Sequence, residues 1–292
     1  IDGTLLPFGS KELPQSTKCA LDALKEKGIK LFVATGRPYD IMTFIMDIYD
    51  FDGYLTFNGQ YCFDKDGNDI YENQMSKEST ISMLNYINGN KISAILATKK
   101  KSYRNTYCDD PYFADHEVIE DMNILKNMNI LQVMAYIPKE QDEEFVSHYP
   151  GSKAVRWSPT FADVIPASGG KDHGIDEILK YYSISLEETM AFGDGGNDIS
   201  MLEHCHIGVA MGNADEKVKS HADYVTTDVD KDGIYNALKH FHIIYTKSTF
   251  CALCCFDYLK FFLAKFQESR HMSSIPFSAT HPSSTFARVG SA

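Results

Sequence analysis

Positive charge is in short supply in this sequence: 28 Lys and Arg stand against 40 Asp and Glu, a net charge of −12 over 292 residues. A nucleic-acid partner, which needs many phosphate contacts, is therefore not expected. A small anionic substrate is still compatible, because charge gathered at a site can oppose the net charge. Cysteine is also sparse. Cys19, Cys62, Cys108 and Cys205 lack metal-ligand spacing and read as reduced thiols of a cytoplasmic protein. Cys251, Cys254 and Cys255 contain a C-x-x-C, but the second half of a zinc site is missing. No long apolar run is uninterrupted: the stretch after Ile244 is broken by Asp257, Lys260 and Lys265, so no membrane partner is expected. G-x-G-x-x-G does not follow the first strand, which sets aside a dinucleotide-binding oxidoreductase. There is no initiator Met and no internal repeat.

What is present has the size for two domains, and its pattern changes twice. Gln15 to Lys27 has helical spacing, and Ile29 to Ala34 is apolar on both faces, as a strand inside a parallel sheet must be. A helix over 39–49 and a strand, turn and hairpin over 53–69 follow. From Ser76 the spacing predicts helices over 76–88, 117–129 and 139–149 alternating with strands, without a phosphate or cofactor loop. At Gly169-Gly170-Lys171 the first style returns, with a helix, the run "TMAFGDGGNDISML", and short apolar strands at "IGVAMG" and "DYVTT". The expected fold is α/β: a Rossmann-like parallel-sheet core, 1–75 and 167–244, whose two flanks form one sheet, and an inserted α+β cap domain, 76–166. Residues 245–292, rich in Ser, Thr and Pro towards their end, are expected to be a poorly ordered tail.

Three polar clusters and one lysine sit where the carboxyl ends of parallel strands would gather: Asp2-Gly3-Thr4, Thr35-Gly36-Arg37, Lys171, and Gly193 to Asp198. Together they suit a phosphate monoester. Thr35 can donate its hydroxyl, Gly36 lets a backbone N–H approach a phosphoryl oxygen, and Lys171 is a point charge. Asp194 is a hard oxygen ligand for Mg²⁺, while Asn197 and Asp198 can orient the phosphate, metal-bound water or Lys171. The run "DVDKDG", Asp228 to Gly233, resembles half of a calcium loop. Its twelfth position is Lys239 where a bidentate Glu belongs, so it reads as a solvated turn.

In this order, "IDGTLL", "ATGRP", the "GGK" lysine and "GDGGNDISML" resemble the haloacid dehalogenase superfamily, most closely its Cof-type sugar-phosphate phosphatase branch. The resemblance covers 1–244 and implies a Mg²⁺-dependent phosphatase of sugar phosphates or similar small metabolites. The family's first motif is D-x-D-G-T-L. Ile1 is then the "x", Asp2 the second Asp, and the nucleophile is the residue before Ile1, so the first core strand is expected to be missing from residues 1–292 and activity with it. The resemblance assigns Asp2 as general acid and base and, through its backbone carbonyl, as a metal ligand beside Asp194. It assigns Thr35, Gly36, Lys171 and Asn197 to the phosphate, Asp198 to a supporting position, and Arg37 and Arg156 to possible substrate contacts. A non-catalytic module that binds a phosphorylated metabolite is the alternative, and a phosphoryl-transfer mutase stays open.

Overall fold

The computed structural model describes residues 1–110, 113–114 and 116–245; the expected tail, apart from Tyr245, and its C-x-x-C lie outside them. The chain starts with a hook. The Ile1 carbonyl accepts from the N–H groups of Leu5 and Leu6 at 2.8 and 2.9 Å, which curls Asp2-Gly3-Thr4 into a tight turn. Helix α1 (Gln15–Glu26) buries Ala20, Leu21 and Leu24 on the face its spacing marks out. Strand β1 (Phe32–Ala34) leads to two short helices, α2 (Tyr39–Met42) and α3 (Phe44–Ile48), where one was expected. β2 (Gly53–Thr56) runs parallel to β1, and β3 (Tyr61–Asp64) and β4 (Asp69–Glu72) add antiparallel to complete a four-stranded sheet.

Helix α4 (Lys77–Gly89) is capped by Ser76, whose hydroxyl accepts from the Ser79 N–H at 3.0 Å. It packs Met83, Leu84 and Ile87 against Leu96, Val133, Ala162 and Val164, which line one face of a six-stranded sheet. The strands of that sheet are β5 (Ala94–Thr98), β6 (Ser102–Asn105), β7 (Glu117–Ile119), β8 (Ile130–Ala135), β9 (Ser152–Val155) and β10 (Ala162–Pro166), in the order β7-β6-β5-β8-β10-β9. Helix α5 (Asp142–Ser147) connects β8 to β9. The helix expected over 117–129 is not formed. β-branched Val118 and Ile119 pair with β6 instead, and the Asp121 carboxylate then starts a short 3₁₀ turn by accepting from the Asn123 N–H at 2.9 Å.

After α6 (Lys171–Tyr182), strands β11 (Met190–Gly193), β12 (Ile207–Ala210) and β13 (Tyr224–Val225) form a three-stranded parallel sheet with α7 (Ile199–His204) and α8 (Glu216–Lys219) between them. Helix α9 (Gly233–His240), which the sequence reading did not anticipate, carries Lys239, and in the turn before it the Lys231 ammonium donates to Asp228. The flanks were expected to make one sheet, and the structure has two. An apolar cavity of about 80 Å³, lined by Ile1, Leu5, Phe32, Val33, Met190 and Phe192, lies between β1 and β11. Those strands pair only with β2 and β12, so their facing edges are not joined among the described residues.

Candidate active site

Parallel strands deliver their carboxyl ends to one rim, and here that rim is built by β1 and β11. β1 runs into Thr35-Gly36-Arg37 and β11 into Asp194-Gly195. Both loops line one cavity of about 280 Å³ with Asp2, Lys171 and Asn197. Stretches 190 residues apart in sequence are thus brought together, and Trp157, Ser158 and Pro159, from the loop between β9 and β10, line the same cavity. A second cavity of about 690 Å³ shares Asp2, Phe8, Arg37, Trp157 and Ser158 with the first and adds Phe44 and Phe161.

The hook at the chain start is seated directly on Asp194. The Thr4 hydroxyl donates to Asp194 Oδ1. Gly3 has φ +79°, and a Cβ there would fall 2.1 Å from Asp194 Oδ2, so both backbone shape and space require glycine. Burial, seconded by the neighbouring Asp198 charge, pushes the Asp194 carboxyl above its usual range, and the Thr4 bond opposes that shift. A buried carboxylate of this kind calls for a cation.

Lys171 opens α6 and is 4% exposed. Its ammonium donates to Asp198 Oδ1 at 2.5 Å, while Asp198 Oδ2 accepts from the N–H groups of Asp194 and Gly195 at 3.0 and 2.9 Å. Burial alone would raise the Asp198 carboxyl. The Lys171 charge and bond outweigh it and hold the group below its usual range. Asp198 therefore anchors both the lysine and the loop that carries Asp194. Thr35 is buried, and its hydroxyl oxygen accepts from the Arg37 N–H at 3.0 Å, which leaves the hydroxyl hydrogen to donate.

The two arginines named from the sequence have different placements. Arg37 donates through Nε and Nη2 to Asp2 Oδ2 at 2.9 and 2.8 Å, so it grips the carboxylate expected to do the chemistry. Arg156 was named as a possible substrate contact, with ordinary packing as the other reading. Its guanidinium binds Asp142 in a fork at 2.7 and 2.6 Å and donates to the carbonyls of Ile137 and Phe161, both at 2.8 Å. It holds the Trp157 loop in shape and does not line the 280 Å³ cavity.

Three polar residues escaped the sequence reading. Asn58 donates through Nδ2 to Gln132 Oε1 and Asp163 Oδ2, both at 2.9 Å, and accepts at Oδ1 from Asn197 Nδ2 at 2.8 Å. Gln132 Nε2 donates to the Gly36 carbonyl at 3.0 Å. The available signals were the Asn58-Gly59 turn pair and a lone Asp in the apolar run "FADVIP".

Similarity to known proteins agrees with this geometry. The family model described as haloacid dehalogenase-like hydrolase matches residues 1–238. The chain belongs to this family. A solved structure of a subclass IIB sugar phosphatase of the same superfamily, BT4131, is 39% identical with a TM-score of 0.78, over 84% of this chain and 97% of that one. BT1666 from Bacteroides thetaiotaomicron, a superfamily phosphatase, is 34% identical with a TM-score of 0.77, over 84% and 93%. YkrA of Bacillus subtilis (strain 168), named as a candidate phosphatase, is 28% identical over 252 residues, 84% of this chain and 96% of its own length. The protein is accordingly a hydrolase of phosphate esters with an α/β core and a cap.

Haloacid dehalogenase-like phosphatases imply Mg²⁺, and the donors fit it. No group of three or more His, Cys, Asp or Glu side chains converges among the described residues. Mg²⁺ binds through one or two carboxylates, water and substrate phosphate, and Asp194 on the 280 Å³ cavity offers one such carboxylate. No helix among the described residues is long and apolar enough to cross a membrane.

Proposed function

We propose that the protein is a Mg²⁺-dependent phosphatase of sugar phosphates or similar small phosphomonoesters, working through an aspartyl-phosphate. The observation that carries this reading is the single cavity shared by Asp2, Thr35, Gly36, Lys171, Asp194 and Asn197. The attacking carboxylate is the first Asp of the family's D-x-D motif, of which Ile1 and Asp2 match the second and third positions. It bonds to phosphorus as the bond from phosphorus to the sugar oxygen breaks. Asp2 lies two positions further on, and both of its Arg37 bonds fall on Oδ2. Oδ1 then gives a proton to the departing oxygen and later takes one from the water that cleaves the aspartyl-phosphate.

Lys171, the Thr35 hydroxyl and the Asn197 amide hold the phosphoryl oxygens, with Asp198 keeping the ammonium in place. Asp194 and the Asp2 carbonyl would hold Mg²⁺, which when bound neutralises phosphoryl charge. The 690 Å³ cavity gives the leaving group room beneath Trp157 and Ser158. That BT4131 is a sugar phosphatase supports the sugar-phosphate class. Buried free thiols at Cys62, Cys108 and Cys205 suit a reducing, cytoplasmic setting.

The test is phosphate release from a panel of sugar phosphates, by residues 1–292 alone and by the same chain with an Asp-ended strand joined ahead of Ile1. The reading expects Mg²⁺-dependent release from the joined form, abolished by Lys171→Met. Release of phosphate also separates hydrolysis from mutase chemistry. Tight phosphate binding without turnover in the joined form would instead establish a binding module.

A further inference from the structure

The face of the six-stranded sheet that looks away from α4 carries a polar pair in an otherwise apolar setting. Asp163 on β10 lies opposite Met134 on β8, and Gln132 is two residues further along β8, so the two side chains share that face. Both are essentially inaccessible, at 1% and 0% exposure. Asp163 Oδ2 accepts from Asn58 Nδ2 at 2.9 Å and from Trp157 Nε1 at 3.2 Å, while Oδ1 is buried without a partner among the described residues. Leaving a carboxylate oxygen unsatisfied is expensive, and apolar packing would serve a merely structural contact better.

The core side of this contact is also built against local preference. Phe57 and Asn58 have φ of +53° and +54°, a region that favours glycine and, to a lesser degree, Asn. The turn is pinned to the phosphate loop by Phe57 N–H to the Arg37 carbonyl at 3.2 Å and Asn58 N–H to the Thr35 carbonyl at 3.0 Å. The Asn58 amide is thereby committed in three directions: to Gln132, to Asp163 and to Asn197. Gly36 is kept bare by the same cluster, since a Cβ there would lie 3.0 to 3.2 Å from the amides of Asn58 and Asn197.

We propose that Asp163 is a positioning residue: from the cap, it sets Asn58, and through Asn58 it aims the Asn197 amide at the bound phosphate. Seating of the cap and grip on the phosphate are then one coupled event. Phosphate favours the seated cap, and the seated cap raises phosphate affinity by the same factor. Trp157, which lines the substrate cavity, is bonded to the same oxygen, so the leaving-group wall is set along with the phosphate grip. This inference rests on the phosphatase reading above and assigns a part of its site to the cap.

The experiment measures the affinity of the full chain for inorganic phosphate with Mg²⁺ by calorimetry, together with the melting temperature of each variant. Asp163→Ala is compared with Asp40→Ala. Asp40 joins core to cap elsewhere, accepting from the Ser102 N–H and hydroxyl at 2.7 and 2.9 Å, with no bond to Asn58 or Asn197. Removing the Asp163 bonds is expected to weaken phosphate about tenfold, on the scale of one to two hydrogen bonds, while Asp40→Ala changes it less than about twofold. Asp163→Asn, whose amide oxygen still accepts from Asn58 and Trp157, should recover affinity to within about threefold of the parent. Should Asp163→Ala fail to fold, Gln132→Met removes the parallel tie to Gly36 and is expected to weaken phosphate several-fold.

The side-chain amide signal of Asn197 in a nitrogen-15 correlation spectrum should shift on adding phosphate to the parent and lose that response in Asp163→Ala. Equal effects of Asp163→Ala and Asp40→Ala, or an unchanged Asn197 response, would overturn the proposal. If instead the parent binds no phosphate, or Lys171→Met binds it equally well, it is the phosphatase reading that fails.

Discussion

Asp163 also makes the most quantitative prediction about pH. Burial raises its carboxyl to about 7, against the opposing bonds from Asn58 and Trp157 and the more distant charges of Lys171 and Arg156. Its ordinary value is 3.8. Between about pH 4 and 7 the folded protein therefore keeps a proton that the unfolded chain releases, and stability falls as pH rises through that window. About three pKa units at about 1.4 kcal/mol each give a loss of up to about 4 kcal/mol by pH 7.5 relative to pH 4. Asp163→Asn removes the titration, so the stability of the variant minus that of the parent should climb across the window and level off above it.

Urea denaturation at half-unit pH steps measures the climb. Local confirmation comes from Trp157, the one tryptophan in the sequence and a donor to Asp163. Its fluorescence should titrate near pH 7 in the parent and not in the variant. A stability difference that stays flat with pH, or a Trp157 transition that survives Asp163→Asn, would refute the reasoning.

Other substitutions probe the remaining contacts. Lys171→Met strands Asp198 with its carboxylate buried and only backbone donors, and should lower unfolding stability by about 3–5 kcal/mol in a urea titration. Arg156→Lys cannot reproduce the fork on Asp142 or reach the Ile137 and Phe161 carbonyls together. It should cost about 1–3 kcal/mol and raise KM by loosening the Trp157 loop, with a smaller effect on kcat. Gly36→Ala forces the Asn58 and Asn197 amides aside and should weaken inorganic phosphate about tenfold while shifting the melting temperature little.

The parts of this molecule legible in the sequence were those fixed by short-range chemistry. β1 announced itself as an unbroken apolar run, and the polar Thr35-Gly36-Arg37 after it marked a strand end where ligands collect. The Gly193–Asp198 loop stood out because two carboxylates and an amide crowd a glycine-rich turn. What was illegible depended on partners far away in the chain. Arg156 stayed open between substrate contact and packing, since nothing local shows that Asp142 and two carbonyls claim its guanidinium. Asp163 is one acidic residue in an apolar strand until Asn58, 105 residues earlier, meets it. The stretch 117–129 has helical spacing but also a β-branched pair, and the availability of the β6 edge decided between them.

The central claim is that four separated stretches form one grip for a metal and a phosphoryl group. It is tested most directly by titrating inorganic phosphate into the parent, Asp194→Asn and Lys171→Met, each with and without Mg²⁺. The account predicts that Mg²⁺ strengthens phosphate binding in the parent, that Asp194→Asn abolishes the Mg²⁺ effect, and that Lys171→Met abolishes phosphate binding in either condition. Phosphate affinity indifferent to Mg²⁺ and to both substitutions would contradict it.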